Sequence, residues 1–408
     1  MEDVLERLRP HEGSAGAGAL AGMKVLELSQ FIAGPVCGAI LADHGAEVVK
    51  VERPGGEDAR QIGPFLNGES LYYATYNRNK RAICLDLKAD EGRDVFLRLA
   101  ADVDAIVENY RPDVLDKLGI GYEDVRRVNP NVVFVSISGF GQTGPSRNVP
   151  AFDQIVQALS GVMYLGGMEG GPPQKLGISV SDYAAGLQGA IGALLALFAR
   201  ERTGEGQLVD VSLFDSLAFM METSLTTYAA TQQRVARVGN GRPGSVPGNT
   251  YRCADGWTYI AATSDRIWAR MVAALDAETT ASLATYPLNK DRVEHRDAVD
   301  ALVGGWCEGR TVEEVVELLG AAGVPCAPVR HAEDLLTDDH VIERRTVEAM
   351  DHPVMGLHVV PGVPAKLSGT PGGIRRRAAL VGEHTAELLA EVGMSEEQIA
   401  ALQEKGVI

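Results

Sequence analysis

The chain has 408 residues, and its 38 lysines and arginines against 55 aspartates and glutamates give a formal net charge of -17. That acidic balance argues against broad binding to nucleic acids or anionic membranes, which requires a basic face. The length suits two domains, and the five scattered cysteines, which form no C-x-x-C pair, predict no zinc ribbon or dithiol redox site and fit a cytoplasmic protein.

The predicted elements begin after a lead-in. Residues 1–22 start acidic, contain no long apolar run and end in small residues, which predicts a flexible segment and neither a signal peptide nor a membrane anchor. Short apolar runs then alternate with helical stretches, a pattern typical of a parallel α/β sheet. We predict strands at 24–28, 47–51, 83–87, 104–108 and 132–136, and helices at 35–43 and 91–100. Such sheets bind ligands beyond the carboxyl ends of their strands.

A long helix is predicted to begin near Asp182 and to end at Gly204, a residue suited to a helix C-cap. Its large apolar residues recur at helical spacing and are Leu187, Ile191, Leu194, Leu195 and Phe198. A second helix follows from residue 214, and the glycine- and proline-rich segment 239–249 marks a boundary. A smaller unit then shows a strand at 257–261 and helices at 266–274 and 311–322, and the tail predicts a helix at 396–402.

A G-x-G-x-x-G spacing occurs at Gly139, Gly141 and Gly144, directly after a predicted strand. A dinucleotide site requires a helix that opens at the third glycine. Here Pro145 and Pro150 discourage that helix, so we do not predict a nicotinamide site.

Asp182 precedes the long helix and has two interpretations. As an N-cap, its carboxylate accepts a hydrogen bond from a backbone N–H of the first turn. As a functional group, a carboxylate at a helix N-terminus stays ionised near pH 7 and can act as a nucleophile.

Basic residues concentrate between positions 50 and 117 in this acidic chain. They include Lys50, Arg53, Arg60, Arg78, Lys80, Arg81, Lys88, Arg111 and Lys117. Several follow predicted strands, so the set predicts a cradle for a phosphorylated ligand, although each residue alone fits a solvated surface. The histidines show no paired metal-ligand spacing, and neither a G-x-S-x-G elbow nor a P-loop occurs, so we predict no metal site.

Several segments together resemble one known family. They include VLELSQFIAGPVCGAILADHGAEVVKVERPGG, NRNKRAICLDLKADEGR, SGFGQTGP, GISVSDYAAGLQGAIGALLAL, RTGEGQLVDVSLFDS and VGEHT. Their order and content are similar to the class III CoA-transferase family, which includes formyl-CoA transferases, carnitine CoA-transferases and α-methylacyl-CoA racemases. The resemblance covers most of residues 23–216 and returns near the C-terminus.

The resemblance implies an α/β fold with a large Rossmann-like domain built from both chain ends, a smaller α+β domain, and an interlocked homodimer. On that basis we expect a lead-in at 1–22, the first part of a large CoA-binding domain at 23–225, and a linker with the glycine-rich loop at 226–250. A small domain at 251–335 and a linker with the C-terminal return to the large domain at 336–408 complete the expected organisation.

The family's functional positions carry over residue by residue. Asp182 falls on the nucleophilic aspartate. The expected CoA contacts are Ile32, Ala33, Arg53, Leu85, Lys88, Asn109, Tyr110, Arg111, Lys117, Pro150, Ala151, Phe152 and Asp153. A substrate loop is expected at Gly241, Arg242, Gly244 and Gly248. The resemblance implies acyl-CoA and a small carboxylic acid as substrates, backbone N–H groups near Asp182 as oxyanion donors, and no permanently bound cofactor.

The chain differs from two groups of the family at positions that bear on the reaction, and these differences limit the reactions that we expect. Racemases of the family carry a histidine where this chain has Phe152, which cannot exchange a proton, so racemisation is the weaker alternative. Formyl and oxalate enzymes carry glutamine and lysine where this chain has Ile32 and Pro150. The alternatives that stay open are a racemase and a non-catalytic CoA-binding protein, and the donor, succinyl-CoA or acetyl-CoA, rests on the family alone.

Overall fold

The structure is a computed structural model that describes residues 2–10 and 16–408. The strands are β1 (Lys24–Leu28), β2 (Glu47–Glu52), β3 (Phe65–Leu66), β4 (Glu69–Ser70), β5 (Lys80–Cys84), β6 (Ala105–Glu108), β7 (Val133–Ser138), β8 (Leu208–Ser212), β9 (Gly248–Arg252), β10 (Trp257–Ala261), β11 (Cys326–Pro328), β12 (Val347–His352) and β13 (Gly356–Pro361).

The helices of the described chain vary widely in length. They are α1 (Glu2–Arg7), α2 (Ala33–Asp43), α3 (Leu71–Asn77), α4 (Asp90–Ala100), α5 (Val114–Lys117), α6 (Tyr122–Val128), α7 (Asp153–Leu159), α8 (Val162–Leu165), α9 (Val180–Thr203), α10 (Leu213–Phe219), α11 (Ser224–Thr231), α12 (Asp265–Ala274), α13 (Ala277–Leu283), α14 (Asn289–Glu294), α15 (Arg296–Glu308), α16 (Val312–Ala321), α17 (Ala332–Leu336), α18 (Asp339–Glu343), α19 (Thr385–Glu391) and α20 (Glu396–Glu404). A short 3-10 helix spans Asp58–Gln61.

The chain divides into two compact units. The first contains the residues up to Ser160, Gly177–Met220 and Leu336–Ile408, and the second contains Gly161–Leu176 and Met221–Leu335. Both ends of the chain therefore contribute to the first unit.

The first unit is built on a six-stranded sheet in the order β5-β2-β1-β6-β7-β8. Every neighbouring pair in this sheet is parallel. Chain order runs outward from β1 in one direction through β2 and β5, and in the other through β6, β7 and β8. The order thus reverses between β1 and β6, and the crevice at their carboxyl ends is where such sheets bind ligands.

One face of the sheet is covered by residues from distant parts of the sequence. Phe96 of α4 and Val125 of α6 share a buried cluster with Leu388 and Leu389 of α19 and Leu402 of α20. Burial of these side chains provides the main stabilisation that joins the C-terminal segment to the N-terminal strands.

The helices α2 and α9 pack closely because glycines line their contact. A Cβ added at Gly186 would lie 2.7 Å from the Ala33 carbonyl oxygen, and one at Gly189 would lie 3.3 Å from Cys37 Sγ. In the described chain α9 alone has the length and composition to cross a membrane, a test that core helices also pass.

The N-terminal segment differs from the expected flexible lead-in. Residues 2–7 are helical, Leu8 is buried, and its carbonyl accepts a hydrogen bond from Ala349 N. Arg9 forms an ion pair with Asp351 at 2.5 Å. These contacts tie residues 2–10 to the hairpin of β12 and β13, whereas residues 11–15 of the expected lead-in lie outside the described residues.

The second unit contains a three-stranded antiparallel sheet in the order β11-β10-β9. Its core packs Trp268 of α12, Val299 and Trp306 of α15, and Leu319 of α16 against Ile260 of β10. These apolar side chains cover one face of the short sheet.

Candidate active site

A cavity of about 480 Å³ opens at the reversal point of the sheet, and all of its lining residues belong to the first unit. The loop after β1, the loop after β6 and the end of β7 form its floor. Asp182 of α9 and the segment 150–154 complete the wall. The fold therefore brings the predicted nucleophile to the edge where a doubly wound sheet binds its ligand.

Asn109 joins the two strand-end loops of this floor. Its side-chain oxygen accepts a hydrogen bond from Gln30 N at 2.8 Å, and its amide donates to the Gln30 carbonyl at 2.7 Å. The Gln30 amide in turn donates to the Tyr110 hydroxyl at 3.2 Å. The loops after β1 and β6 are thereby held as one surface.

Asp182 is not a helix N-cap in the structure. The helix begins at Val180 with Ser179 as its cap residue, so Asp182 lies inside the first turn. Within the described residues, no hydrogen bond or ion pair engages its carboxylate, which lines the cavity. The capping interpretation is therefore wrong, and the Asp182 side chain is available to react with a ligand in the cavity.

The protonation of Asp182 also differs from the expectation of a carboxylate fully ionised near pH 7. Burial, and then the negative charge of Asp153, raise the pKa of Asp182 to about 7. A carboxyl group with this pKa exists in both forms near neutral pH, and its ionised form is more basic than an ordinary aspartate.

Asp153 fixes the turn that carries Asp182. Its buried carboxylate accepts hydrogen bonds from Ser181 N at 2.9 Å and from Ser181 Oγ at 2.8 Å. The other carboxylate oxygen accepts from Gln157 Nε2 at 2.7 Å. Although Asp153 borders the cavity, both oxygens of its carboxylate accept hydrogen bonds from other residues of the chain. Its role in the structure is therefore to position the first turn of α9.

Three backbone N–H groups of that turn, which are candidate oxyanion donors, are occupied. Val180 N donates to the Ile178 carbonyl and Tyr183 N to the Ser179 carbonyl, while Ser181 N donates to Asp153. These three N–H groups are therefore not free to stabilise an oxyanion, and the expectation of backbone donors stays a prediction for the other N–H groups near Asp182.

A group of tyrosines beside Asp182 was missed by the sequence reasoning. Tyr72 lines the cavity from α3, its ring lies 5.2 Å from that of Tyr76, and Tyr76 lies 6.0 Å from Tyr183. Burial, and then the charge of Asp182, raise the pKa of the Tyr72 phenol, which therefore stays protonated and can donate a hydrogen bond. The run of tyrosines in residues 72–76 was the available signal.

The predicted contact residues separate into three groups. The cavity is lined by Ile32, Ala33, Asn109, Tyr110, Arg111, Pro150, Ala151, Phe152 and Asp153 together with Asp182. Arg53, Leu85, Lys88 and Lys117 do not line it, and Leu85 is buried in the core. Gly241, Arg242, Gly244 and Gly248 belong to the second unit.

Burial divides the predicted cationic cradle. Lys50, Arg60, Arg78, Lys80 and Arg81 are buried. Each of them forms an ion pair with a carboxylate of the first unit, so they are not available to a ligand. Arg53, Lys88, Arg111 and Lys117 are exposed. Phosphate binding therefore stays a prediction for these four exposed cations, of which Arg53 also forms an ion pair with Asp58. Lys88 lies in a turn because β5 ends at Cys84.

The glycines of SGFGQTGP have structural roles. Gly141 and Gly144 have φ values of 84°, which disfavour other residues, and a Cβ at Gly139 would lie 2.5 Å from the Ala151 side chain. The Gln142 N–H donates to the Asp210 carboxylate at 3.0 Å. No helix opens at Gly144, so the feature that a dinucleotide site requires is missing from this described loop.

In the second unit, the glycine-rich loop is tied to two helices. Arg296 of α15 donates to the Arg242 carbonyl at 2.7 Å, and Asn289 of α14 donates to the Gly244 carbonyl at 2.9 Å. These contacts bind the loop through its backbone, and the Arg242 side chain is exposed.

Comparison with known proteins agrees with this architecture. The family model described as CoA-transferase family III matches residues 20–385. The chain is 36% identical over 393 residues to the succinyl-CoA–D-citramalate CoA-transferase of Chloroflexus aurantiacus, covering 95% of this chain and 98% of that protein. It is 39% identical over 390 residues to the succinyl-CoA:mesaconate CoA-transferase of Haloarcula hispanica, covering 92% and 97%.

A solved structure shares the fold. The crystal structure of a CAIB/BAIF family protein from Brucella suis superposes with a TM-score of 0.84 at 32% identity, covering 92% of this chain and 100% of that one. The match of the family model over nearly the whole chain confirms the resemblance read from the sequence. The chain therefore belongs to CoA-transferase family III and is a class III CoA-transferase.

Proposed function

We propose that this enzyme moves CoA from an acyl-CoA donor, with succinyl-CoA as the first candidate, to a carboxylic acid acceptor through covalent intermediates on Asp182. The observation that carries the proposal is the Asp182 carboxyl, which lines the cavity without a hydrogen-bond partner among the described residues. The names of both relatives above, which transfer CoA from succinyl-CoA, support this choice of donor.

In the proposed first half-reaction, the ionised Asp182 carboxylate attacks the thioester carbonyl of the donor. The C–S bond breaks, and the products are an acyl-aspartyl anhydride and the CoA thiolate. The thiolate then attacks the aspartyl carbonyl, the donor acid leaves as a carboxylate, and an aspartyl-CoA thioester forms.

The second half-reaction repeats these bonds in reverse order. The acceptor carboxylate attacks the aspartyl-CoA thioester and releases the thiolate, which then attacks the acceptor acyl carbon of the new anhydride. Asp182 leaves as a carboxylate, so protons and charges balance over the cycle. Because three of the first-turn N–H groups are occupied, we assign oxyanion stabilisation to the protonated phenol of Tyr72, which lines the same cavity.

The exposed cations suit the CoA portion of the donor. Three of them come after a strand in the chain: Arg53 follows β2, Lys88 follows β5 and Arg111 follows β6. The fourth, Lys117, is the last residue of α5. We propose that they bind the phosphates of CoA, since cationic side chains form strong charge-assisted hydrogen bonds with phosphate oxygens.

We also propose that two copies of the chain form the interlocked homodimer implied by the family resemblance. The large apolar residues of α9, among them Leu195 at 63% and Phe198 at 59% exposure, form an exposed stripe on the single chain. Such a stripe on a soluble protein marks an interaction surface. Leu195→Glu is expected to shift the molar mass in solution toward that of one chain, and an unchanged dimer mass would contradict this surface.

The acceptor is proposed to be a dicarboxylic acid whose second carboxylate binds Arg242. The exposed side chain of Arg242 and the acids in the two relatives' names support this assignment. Arg242→Ala should raise the KM of a dicarboxylate acceptor more than that of a monocarboxylate. Equal increases for both acids would contradict the assignment.

The transferase proposal is tested by trapping the intermediate. The protein is incubated with succinyl-CoA and with a panel of other acyl-CoA donors, quenched with hydroxylamine, digested and analysed by mass spectrometry. We expect a hydroxamate on Asp182 that is absent from Asp182→Asn, the isosteric control. Absence of the hydroxamate with every donor, combined with deuterium exchange into an α-methylacyl-CoA, would favour the racemase alternative.

A further inference from the structure

Four buried ionisable side chains form a chain of ion pairs beneath the loop that follows β1. Lys50 Nζ lies 3.1 Å from Glu27 Oε1 and 2.8 Å from Glu57 Oε1. Lys80 Nζ lies 2.7 Å from the other Glu27 oxygen. The four side chains expose at most 4% of their surface, and their two positive and two negative charges balance. The proposed reaction uses none of them.

Three members of this group form hydrogen bonds with the backbone of a short segment of the chain. Lys50 donates to the Ser29 carbonyl at 2.8 Å, and Lys80 donates to the Pro35 carbonyl at 2.9 Å. Between these two points, Glu57 Oε2 accepts a hydrogen bond from the Phe31 N–H at 3.1 Å. Residues 29–35 are therefore held at both ends by ammonium groups and in the middle by a carboxylate.

The middle contact holds the segment where its backbone is least favourable. Phe31 has a φ of 62°, in the left-handed region that residues with a side chain seldom adopt. A conformation of this kind persists only when the surrounding structure imposes it. Phe31, Ile32 and Ala33 line the cavity beside Asp182, and the Phe31 ring meets Phe152 edge to face at 6.2 Å.

We propose that Glu57 is a positioning residue that fixes the left-handed backbone of Phe31, and with it the cavity wall formed by Phe31, Ile32 and Ala33. The link from this wall to CoA rests on the function proposed above. Glu57 does not line the cavity, so it acts on the ligand only through the segment that it holds.

The variant Glu57→Gln distinguishes the positioning of Phe31 from the general effect of a buried charge on stability. Each oxygen of the Glu57 carboxylate has one partner, because Oε1 faces the Lys50 ammonium and Oε2 faces the Phe31 N–H. A glutamine has one oxygen, which the ammonium attracts more strongly, so its NH2 group would oppose the Phe31 N–H, donor against donor. The substitution keeps the volume of the side chain and removes the contact with Phe31.

Asp43→Asn is the matched control. Asp43 is as buried as Glu57, at 2% exposure, and its two oxygens also have separate partners. One accepts from Arg78 at 2.6 Å and the other from Asn79 at 2.8 Å, so the substitution again leaves a donor facing a donor. Neither partner belongs to residues 29–35, and a purely structural loss should therefore be similar in both variants.

The first experiment measures hydrogen–deuterium exchange of the full-length protein without ligand, by mass spectrometry of peptides that contain residues 29–35. Exchange in these peptides should be about tenfold faster or more in Glu57→Gln than in the wild type, since loss of one buried hydrogen bond is of this size. Asp43→Asn should leave these peptides unchanged. Equal exchange in the two variants, at equal losses of Tm, would overturn the proposal.

The second experiment measures the Kd of CoA for the same variants by calorimetry, and we expect about tenfold weaker binding for Glu57→Gln only. Should Glu57→Gln fail to fold, Glu57→Asp keeps the charge opposite Lys50 but is one methylene too short for the Phe31 N–H, and the same two measurements apply. The hydrogen–deuterium exchange measurement tests the role of Glu57 independently of catalytic turnover. A wild type without transfer activity but with the predicted exchange contrast would refute the proposed function and leave the role of Glu57 intact.

Discussion

Asp182→Asn should stabilise the folded protein at pH 8 and leave its stability almost unchanged at pH 4. The reason is that the folded-state pKa of Asp182, about 7, lies above its ordinary value of 3.8. Between these values the folded protein holds a proton that the unfolded chain has released. The stability linked to this proton is fully present below pH 4 and is lost as the pH rises through 7.

The magnitude follows from the distance between the two pKa values. A difference of about three pKa units corresponds to about 4 kcal/mol of unfolding free energy at pH 8. Because the Asp182 side chain is partly exposed, water reduces this figure, and we expect a gain of about 2–4 kcal/mol for the asparagine variant. At pH 4 the expected gain is below about 1 kcal/mol, because the carboxyl group is then protonated in the folded state.

Urea unfolding of wild type and Asp182→Asn at equal protein concentration, at pH 4 and pH 8, measures the two differences. Glu383→Gln provides a control of opposite sign, because hydrogen bonding from Arg377 lowers the pKa of Glu383 to about 2. Its carboxylate stabilises the fold above pH 4.5, and this contribution is lost as the pH falls through 2. Glu383→Gln should therefore destabilise more at pH 8 than at pH 4. Equal effects of Asp182→Asn at both pH values would refute the argument that burial holds its carboxyl neutral.

Four further substitutions, one of them a control, test other parts of the structure. Asp153→Asn removes the charge beside Asp182 and should lower the pH midpoint of hydroxamate formation by about one pH unit; an unchanged midpoint in the pH–rate profile would contradict the assigned cause. Gly186→Ala should cost about 1–3 kcal/mol in urea unfolding because its Cβ has no space, whereas Gly305→Ala, in an open part of α15, should stabilise by up to about 1 kcal/mol. Arg53→Ala should weaken CoA binding about threefold to tenfold and reduce the salt dependence of the Kd, and equal affinity at low and high salt in both proteins would exclude a phosphate contact.

Local chemistry was enough to predict several elements. The strands β1 and β10 occupy the residues that the apolar pattern predicted, 24–28 and 257–261. Gly204 caps α9 with a φ of 74°, a conformation that glycine adopts without strain. These features depend on neighbouring residues alone, which is why a single sequence reveals them.

The strand β5 shows where local patterns mislead. We predicted it at 83–87, but it spans Lys80–Cys84. Lys80 and Arg81 look like surface residues in the sequence, yet Lys80 pairs with Glu27 and Arg81 with Glu391, each far away in the chain. A buried charge is tolerated only beside such a partner, and the partner is known only once the strands are ordered.

The same reason separates the cations that sequence reasoning had grouped together. In a parallel sheet both faces are covered, so a charged residue within a central strand is buried whichever way it points. Lys50 is such a residue, and it stands in register with Glu27 on the neighbouring strand. Arg53 directly follows the same strand and is exposed. Only two residues lie between Lys50, a member of the ion-pair group, and Arg53, a candidate phosphate ligand, and the strand boundary is what distinguishes them.

The apolar pattern of α9 predicted a helix correctly but did not indicate which face of the helix is buried. Helical spacing of large apolar residues is the same whether they face the helix's own core or another chain. In the structure the small residues of α9, such as Ala185 and Ala193, are fully buried, whereas Leu187 and Leu195 are exposed. Close approach to α2 requires the small residues inside, and this leaves the large ones outside. A row of exposed leucines on a helix is typical of an interaction surface, so the orientation of α9 supports the homodimer proposed above.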